Sequence, residues 1–236
     1  MTSTRVTPPT VDESVAQLVA RVQKLATTGG RRILGITGTP GAGKSTLCEA
    51  LLGALGAQAV LVGMDGFHLA NAELERLGRR DRKGAPDTFD VDGYVALLAR
   101  LRAQTSGTIY APRFDRGLEE SIGSAVPVSA AVPLVITEGN YLLHDGYGWE
   151  GVAAHLDESW HLDVASELRE TRLVARRRSY GHTADAAVTW VRTVDEPNAR
   201  VVETARDRAA LVVRVTTILG PSKPTGRFTS DEGALS

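Results

Sequence analysis

The sequence has 236 residues, with 27 lysines and arginines against 28 aspartates and glutamates, which gives a formal net charge of −1. This length is enough for one substantial core, and the near-zero charge provides no general attraction for nucleic acid. The lone cysteine, Cys48, excludes an intrachain disulfide, and neither a membrane-length apolar run nor an apolar signal core is present. We therefore expect a soluble, cytoplasmic protein whose partners are neither nucleic acid nor membrane.

The N-terminal part of the chain predicts a disordered segment followed by a helix. Residues 1–10 are rich in Thr, Ser and Pro, which favours disorder. Asp12 or Ser14 could cap a helix whose apolar residues recur at helical spacing and which ends at residues 27–30. The apolar, β-branched run at residues 31–37 then predicts a buried strand.

The next segment, Gly38-Thr39-Pro40-Gly41-Ala42-Gly43-Lys44-Ser45, is a complete G-x-x-x-x-G-K-S motif, followed by Thr46. A strand before it and a helix to about residue 55 after it are the context that a phosphate-binding loop requires. Its glycines let backbone N–H groups converge on phosphate oxygens, and the following helix N-terminus adds positive potential. Lys44 can reach the β- and γ-phosphates, and the Ser45 hydroxyl can ligate Mg²⁺. The motif predicts a protein that binds a nucleoside triphosphate.

Further apolar runs extend this unit into an α/β domain. We predict strands at residues 59–64, 134–137, 159–164 and 211–215, short strands and turns at 108–128, and helices at 91–104, 166–178 and 184–193, with another short helix from residue 196. A strand, a helix and a strand at this spacing form a parallel unit with a right-handed crossover. The sequence therefore predicts one P-loop α/β domain over residues 11–219, a three-layer sandwich around a mostly parallel sheet. A small helical lid is expected at about residues 172–193, and a disordered tail at 220–236.

Two carboxylates follow buried strands of this predicted sheet. Asp65 ends the strand at residues 59–64, and Glu138 ends the strand at residues 134–137. Because ligands bind beyond the carboxyl ends of parallel strands, both should lie near the phosphate loop. One could orient or deprotonate an acceptor hydroxyl, and the other could hold Mg²⁺. The alternative for each is an ordinary turn residue before a glycine.

Three segments carry a family resemblance, namely Met64-Asp65-Gly66-Phe67-His68, Arg82-Lys83-Gly84-Ala85-Pro86-Asp87-Thr88-Phe89-Asp90 and Ile136-Thr137-Glu138-Gly139. In this order, over roughly residues 33–215, the chain resembles the P-loop kinases of the uridine kinase, type I pantothenate kinase and phosphoribulokinase group. Among these it most resembles the bacterial nucleoside/nucleotide kinase-like proteins, which are also labelled fructose transport system kinase-like.

The resemblance implies roles for particular residues. Asp65 matches the proposed catalytic base and Glu138 the acidic residue near Mg²⁺. Residues 86–90 match a segment that lines the acceptor pocket of uridine kinases. The residues expected to contact the acceptor are Phe67, His68, Arg82, Lys83, Asp87, Phe89, Tyr110, Arg113 and Arg116. The chain lacks the aspartate-phenylalanine pair that follows the tyrosine in uridine kinases, and it lacks the longer C-terminal half of type I pantothenate kinases.

The segment from Arg169 to Arg178 contains five arginines. Arg172 and Arg176 are four residues apart, so they share one helix face, and their position before the Gly181 break resembles a kinase lid. Guanidinium groups suit the spread charge of a transferring phosphoryl group. The alternative is a solvated helix on which Glu167 and Glu170 pair with the arginines. Asn198 and Arg200 resemble a stretch near the adenine in these kinases, or else serve as a helix cap and a surface charge.

The sequence thus favours an ATP- and Mg²⁺-dependent kinase that phosphorylates a hydroxyl of a small metabolite, such as a nucleoside, a sugar or a pantothenate-like alcohol. The catalytic residues are expected to be Lys44, Asp65, Arg172 and Arg176. Arginines at positions 79, 80, 82, 113 and 116 suggest an anionic acceptor, unless several are simply solvated. The alternatives are a regulatory nucleotide-binding ATPase and an ATPase that moves a partner. A homodimer is compatible with this interpretation.

Overall fold

The computed structural model describes residues 7–216, and strands alternate with helices through most of this range. The strands are β1 (Thr10–Glu13), β2 (Arg32–Gly38), β3 (Ala59–Gly63), β4 (Thr108–Asp115), β5 (Glu120–Ser129), β6 (Leu134–Glu138), β7 (Glu158–Leu162) and β8 (Leu211–Val215). The helices are α1 (Val15–Ala26), α2 (Lys44–Leu55), α3 (Asn71–Arg76), α4 (Val91–Ala103), α5 (Ser166–Ser179), α6 (Ala184–Trp190) and α7 (Glu196–Glu203).

Six strands form one sheet in the order β1-β8-β7-β2-β6-β3, and every pairing within it is parallel. The central strand β2 pairs with β6 on one side and β7 on the other. The carboxyl ends of β2, β3 and β6 therefore meet at one edge, which brings together Gly38, Gly63 and Glu138. The predicted α/β fold with a mostly parallel sheet is confirmed.

Two apolar layers bury the faces of this sheet. Side chains of β2 alternate between them, so Leu34 and Ile36 contact α1 and α2 while Ile33 contacts the opposite layer. The first layer includes Leu18, Leu47 and Trp160. The second includes the apolar stripe predicted for α4, namely Tyr94, Leu97, Leu98 and Leu101. Cys48 is buried in the first layer and has no disulfide partner, as a packed thiol should.

Strands β4 and β5 form an antiparallel hairpin outside the main sheet, where the sequence predicted short strands and turns. The hairpin packs closely on the loop after β3. A β-carbon built at Gly66 would lie 2.6 Å from the Pro112 carbonyl oxygen, so only glycine fits there. This contact holds the hairpin against the segment that contains Asp65.

Three features of the fold were not predicted. Thr10 lies in β1 rather than in a disordered terminus, because β8 offers a free edge with which residues 10–13 pair. Helix α3 lies within the polar stretch where no element was expected. Helix α6 does not stop before α7 but continues into it through a π-helical turn, Val191–Asp195. The disorder expected for residues 1–6 and 220–236 lies outside the described residues.

The helical spans between residues 7 and 216 include none that is long and apolar enough to cross a membrane.

Helix α1 begins where the sequence placed it, since the Ser14 side chain accepts from the Gln17 N–H and the Gln17 side chain accepts from the Ser14 N–H. This reciprocal cap satisfies two backbone donors that a helix start otherwise leaves free.

Candidate active site

The phosphate-loop motif, Gly38–Ser45, connects β2 to α2. Its backbone is left-handed at Gly41 and Gly43, with φ of +82° and +91°, a conformation that costs other residues about 1–2 kcal/mol. Gly41 also lies under α5, because a β-carbon there would come within 2.9 Å of the Arg169 carbonyl oxygen. Both glycines are therefore required by this loop conformation.

The other motif residues complete this turn. Thr39 and Ala42 are buried, and the Ala42 N–H donates to the Thr39 carbonyl oxygen at 3.1 Å. The Pro40 carbonyl faces α5. Thr46 lies half-buried in the first turn of α2. The loop is thus a defined part of the fold rather than a free glycine-rich turn.

The side chain of Lys44 is folded back under this loop. Its Nζ donates to the Gly38 carbonyl oxygen at 2.7 Å, to the Thr39 carbonyl oxygen at 3.1 Å and to Asn140 Oδ1 at 2.7 Å. Burial lowers the pKa of Lys44 to about 8, against the opposing effect of Glu138 and Asp65. Asn140, which the sequence reading missed, fixes the lysine from the end of β6, and its position two residues after Glu138 was the available signal.

Asp65, Glu138 and Ser45 meet at the carboxyl edge of the sheet. The Ser45 hydroxyl lies 3.4 Å from Glu138 Oε1. The two carboxylates are close enough for the charge of Asp65 to raise the pKa of Glu138. A hydroxyl and two neighbouring carboxylates are hard oxygen donors that suit Mg²⁺, and a cation would relieve their repulsion. The residues therefore fit the expected metal, with Ser45 and Glu138 as the groups that would hold it.

The two carboxylates differ in their electrostatic surroundings. Burial, and then the charge of Asp65, raise the pKa of Glu138. Burial would also raise the pKa of Asp65, but the positive charges around it, led by Arg116, lower it below its ordinary value. Asp65 therefore remains ionised, whereas Lys44 and Arg116 only partly offset the effects of burial and of Asp65 on Glu138. This separation is typical of sites where neighbouring carboxyl groups do different work.

Arg116 forms an ion pair with Asp65, with Nη2 at 2.6 Å from Oδ2. Its guanidinium also lies over the Phe114 ring, 5.0 Å from the centroid, and Lys83 Nζ lies 5.0 Å from the same centroid. His68 packs between Phe89 and Phe114, with ring centroids 4.1 and 4.8 Å away. Burial lowers the pKa of His68, so it is neutral at pH 7. These residues form a wall beside Asp65. Acceptor contacts were predicted from the sequence for four of them, His68, Lys83, Phe89 and Arg116.

The remaining residues of the predicted acceptor segments are placed differently. Phe67 and Phe89 are buried in the aromatic core, where Phe67 contacts Tyr94 and Phe89 contacts Trp149. Asp87 forms ion pairs with Arg82 and Arg79. Among residues 7–216, no ion pair or hydrogen bond joins Arg82 or Asp87 to Asp65. Their expected acceptor contacts therefore stay predictions.

Tyr110 and Arg113 lie on β4. Tyr110 is 57% exposed and lies opposite Pro127 in the hairpin, and Arg113 is exposed opposite Ile122. Neither side chain hydrogen-bonds to another predicted site residue in the described part of the chain. Arg113 is nevertheless close to the site through its backbone, which contacts Gly66.

Helix α5 brings arginines over the phosphate loop. A β-carbon built at Gly43 would lie 3.5 Å from Arg172 Nη1, so this guanidinium covers the loop. Arg176 is exposed, and its positive charge lowers the pKa of both Lys44 and Asp65. The two arginines share a face directed toward the predicted triphosphate, and neither pairs with Glu167 or Glu170 within residues 7–216.

Arg169 is a site residue that the sequence reading did not single out. It is only 3% exposed, and Nη2 lies 2.6 Å from Glu196 Oε1 on α7. Nη1 donates to the Pro40 carbonyl oxygen at 3.4 Å. This side chain ties α5 and α7 to the phosphate loop. Its spacing of three and seven residues from Arg172 and Arg176 was the one available signal.

Asn198 and Arg200 lie on α7, where Asn198 is half-buried and Arg200 is exposed. Within the described residues, neither hydrogen-bonds to the phosphate loop. Their expected place near the adenine stays a prediction. The Arg169–Glu196 pair shows how α7 is nevertheless held beside the loop.

Comparisons with known proteins identify relatives of this chain. Residues 33–218 match the Phosphoribulokinase / Uridine kinase family. The Escherichia coli (strain K12) protein YggC is 33% identical over 195 residues, which cover 79% of this chain and 78% of YggC. A pantothenate kinase from Leifsonia xyli subsp. xyli is 30% identical over 213 residues, covering 77% of this chain and 65% of that enzyme.

The crystal structure of a Silicibacter sp. TM1040 protein, provisionally described as a fructose transport system kinase, is also similar to this chain. It superimposes with a TM-score of 0.77 at 40% sequence identity, covering 85% of this chain and 98% of that one. Both the sequence and the fold of the whole domain are therefore shared with relatives.

Proposed function

The chain belongs to the phosphoribulokinase and uridine kinase family, and from this we propose that it transfers the γ-phosphate of ATP to a hydroxyl group of a small metabolite. The observation that carries the proposal is the convergence of Lys44, Arg172, Asp65 and Glu138 at one edge of the sheet. Phosphoryl transfer needs positioning and charge stabilisation more than covalent catalysis. This arrangement supplies both.

The phosphate side of the site binds the triphosphate. Backbone N–H groups of the loop and the Lys44 amine hold the β- and γ-phosphates, as in other phosphate loops. To do so Lys44 exchanges contacts with the Gly38 and Thr39 carbonyls for contacts with phosphate oxygens. Arg172 and Arg176 are placed to meet the charge on the migrating phosphoryl group. Because the arginines meet that charge best in the closed, transition-state arrangement, their contribution falls mainly on the rate.

Asp65 is the residue that orients the acceptor hydroxyl. Its carboxylate is ionised and faces the loop and Arg116. A hydroxyl group keeps its proton until late in the reaction, so a weakly basic carboxylate acts chiefly by hydrogen bonding and then accepts the proton. Glu138 is the less suited base because it pairs with the Ser45 hydroxyl.

Ser45 and Glu138 are the groups that would hold Mg²⁺. A bound ion would supply neutralisation of phosphate charge. Ser45 is exposed at the start of α2, so its hydroxyl can face the nucleotide. Glu138 lies behind it, where its carboxylate contacts the serine.

The acceptor is a hydroxyl compound of low molecular mass. The relatives' names mention pantothenate and fructose transport, and a nucleoside, a sugar or a pantothenate-like alcohol would each supply the required group. A closed lid formed by α5 and α6, about residues 172–193, would exclude water and so favour transfer to the acceptor over hydrolysis.

The proposal is tested by measuring ADP release with and without a panel of small hydroxyl compounds, together with mass spectrometry of the products. We expect slow ADP release alone and strong stimulation by one acceptor, with one phosphate added to it. Lys44→Met should remove both, and Lys24→Met, a change on the surface of α1, should not. Fast ADP release that no acceptor stimulates would contradict the proposal and indicate an ATPase.

A further inference from the structure

The wall beside Asp65 holds cations on an apolar surface. Lys83 Nζ and the Arg116 guanidinium each lie 5.0 Å from the centroid of Phe114. Cations over an aromatic face are attracted to it and lose part of their hydration. Burial lowers the pKa of Lys83, and the nearby charge of Arg116 adds to this, whereas Glu120 and Glu119 act in the opposite direction. We call Lys83, Phe114 and Arg116 the basic wall.

Both cations of the basic wall have N–H donors that are not bonded to protein acceptors within the described residues. Arg116 donates one N–H to Asp65, whereas a guanidinium has five donors. Lys83 donates to Asn71 Oδ1 at 2.7 Å and to the Glu119 carbonyl oxygen at 2.6 Å, which leaves one of its three protons. The remaining donors make no hydrogen bond to protein within residues 7–216.

Neighbouring arginines differ from the basic wall in this respect. Arg79 and Arg82 both pair with Asp87, and Arg79 Nη1 also donates to the Asp87 carbonyl oxygen at 2.8 Å. These contacts stabilise the segment of residues 79–87. Arg116 also pairs with a carboxylate, but that carboxylate is Asp65 itself, to which we assign the acceptor hydroxyl. Arg116 and Lys83 are therefore the cations of this wall that lie beside the acceptor space.

Resting on the proposed kinase function, we infer that the acceptor carries an anionic group, a carboxylate or a phosphate, which binds Arg116 and Lys83 while its hydroxyl binds Asp65. An anionic acceptor gains charge-assisted hydrogen bonds from these donors, which are stronger than the bonds a neutral acceptor can form with them. Bidentate binding to a planar guanidinium is the geometry that carboxylate and phosphate favour.

The ion pair also limits the size of the acceptor. Asp65 Oδ2 and Arg116 Nη2 are 2.6 Å apart. With ordinary hydrogen bonds at these two atoms, the reacting hydroxyl and the anionic oxygen are separated by at most about 8 Å. Use of Asp65 Oδ1 or of another guanidinium nitrogen lengthens this span. This span fits a small hydroxy acid or a sugar phosphate.

The test compares matched pairs of compounds that differ by one anionic group. The pairs are glycerate with glycerol and ribose 5-phosphate with ribose, and uridine is a further neutral probe. Each is measured for thermal stabilisation in the presence of ADP and Mg²⁺, which reports binding to the folded state, and for kcat/KM as acceptor. We expect the anionic member of at least one pair to stabilise the protein and to have at least tenfold higher kcat/KM than its neutral partner. The glycerate and ribose 5-phosphate arms separate a carboxylate from a phosphate.

Variants then assign that preference to the basic wall. Arg116→Gln and Lys83→Gln should each raise KM for the anionic compound at least tenfold and remove its stabilising effect. Arg116→Lys should retain part of it. Lys83→Gln leaves the Asp65–Arg116 pair intact, so its effect is on binding alone. The control is Arg21→Gln, which removes an equal charge from the ion pair between Arg21 on α1 and Glu158 on β7. It should leave the anionic preference unchanged.

The inference is wrong if a neutral member binds or reacts as well as its anionic partner, or if no anionic member stabilises the protein. It is also wrong if the anionic preference survives both Gln variants. These failures differ from failure of the proposed function. Phosphate transfer to a neutral compound would support a kinase and overturn the anionic acceptor. An anion bound at the basic wall without any phosphate transfer would support the wall and contradict the kinase.

Discussion

The two sides of the cleft are built in different ways. The phosphate side is one continuous segment, Gly38–Ser45, whose buried lysine bonds to the loop's own carbonyls. The acceptor side is assembled from three separate segments that contribute Asp65, Lys83 and Arg116. It is also more open, since the Arg116 side chain is 55% exposed. The first is fixed by local geometry and the second by contacts between distant parts of the chain.

This difference predicts which side of the cleft tolerates substitution. The positive φ angles at Gly41 and Gly43 leave few alternative residues in the loop. The acceptor side is held by ion pairs and ring contacts that a few substitutions can rearrange. It follows that changes on the phosphate side should damage nucleotide binding and catalysis together, whereas changes on the acceptor side should separate them.

The largest effect is expected for Lys44→Met on the phosphate side. The substitution keeps the length of the buried stem but removes the amine that contacts phosphate. We expect phosphoryl transfer to fall by roughly a thousandfold, the upper range for loss of one preorganised electrostatic contact, together with weaker ATP binding. Steady-state kinetics and calorimetry measure the two effects. A folded variant with near-normal activity would mean that the loop does not serve ATP.

Asp65→Asn tests the acceptor side and should separate rate from affinity. The amide retains an oxygen acceptor but loses the charge and the ability to take a proton, so we expect about a hundredfold loss of rate. ATP affinity should change little because the loop contacts remain. Single-turnover kinetics measures the loss of rate, and calorimetry measures ATP affinity in the same variant.

The matched control is Asp81→Asn, which should retain full activity, because the Asp81 side chain is exposed and forms no hydrogen bond or ion pair among residues 7–216. A retained rate in Asp65→Asn would assign the base role to Glu138 or to a water chain. A parallel loss of ATP affinity would show that Asp65 serves the phosphate side as well.

Gly41→Ala tests whether the phosphate loop has space for a β-carbon at this position. Its β-carbon would meet the Arg169 carbonyl oxygen and Leu173 Cγ, each at 2.9 Å, so α5 or the loop must move. We expect ATP binding at least tenfold weaker, since 1.4 kcal/mol of strain already costs a factor of ten. Gly30→Ala is the control, because Gly30 has a similar positive φ of +66° but a β-carbon built there would have no other part of the protein within 4 Å. Equal ATP affinity in the two variants would refute the steric argument.

The sequence predicted the phosphate side better than the acceptor side for the same physical reason. The motif, the two strand-end carboxylates and the parallel sheet follow from local patterns and were found. Asn140 and Arg169 were missed because their contacts with the loop span 96 and 129 positions of the chain. Pairing of Arg82 with Asp87 was missed too, since composition cannot tell a cation that binds ligand from one that holds its neighbours.

Arg169→Met tests whether the phosphate side depends on its support from the lid helix. The change leaves Glu196 without its buried partner, and because Glu196 is partly exposed we expect a loss of about 1–3 kcal/mol in the free energy of unfolding. ATP affinity should fall about threefold to tenfold through the Pro40 contact. Thermal unfolding and calorimetry measure these effects.

The double variant Arg169→Met/Glu196→Gln is the control for that experiment. It removes the unpaired carboxylate, so it should recover part of the stability but none of the ATP affinity. Recovery of both would show that the loop geometry does not depend on the arginine. No stability change in the single variant would mean that the ion pair is not formed in solution.

The smallest effect is expected for Arg82→Gln at the edge of the acceptor side. Its pair with Asp87 is half exposed, and such pairs contribute about 0–1 kcal/mol. Asp87 keeps Arg79 as a second partner, so the segment should stay folded and ATP affinity should be unchanged. KM for the acceptor separates two possibilities. If Arg82 only holds the segment, KM should change less than about threefold, whereas direct binding of an anionic acceptor would raise it at least tenfold, as expected for Arg116→Gln. Kinetics of the two variants side by side decide whether the acceptor contact extends beyond the basic wall.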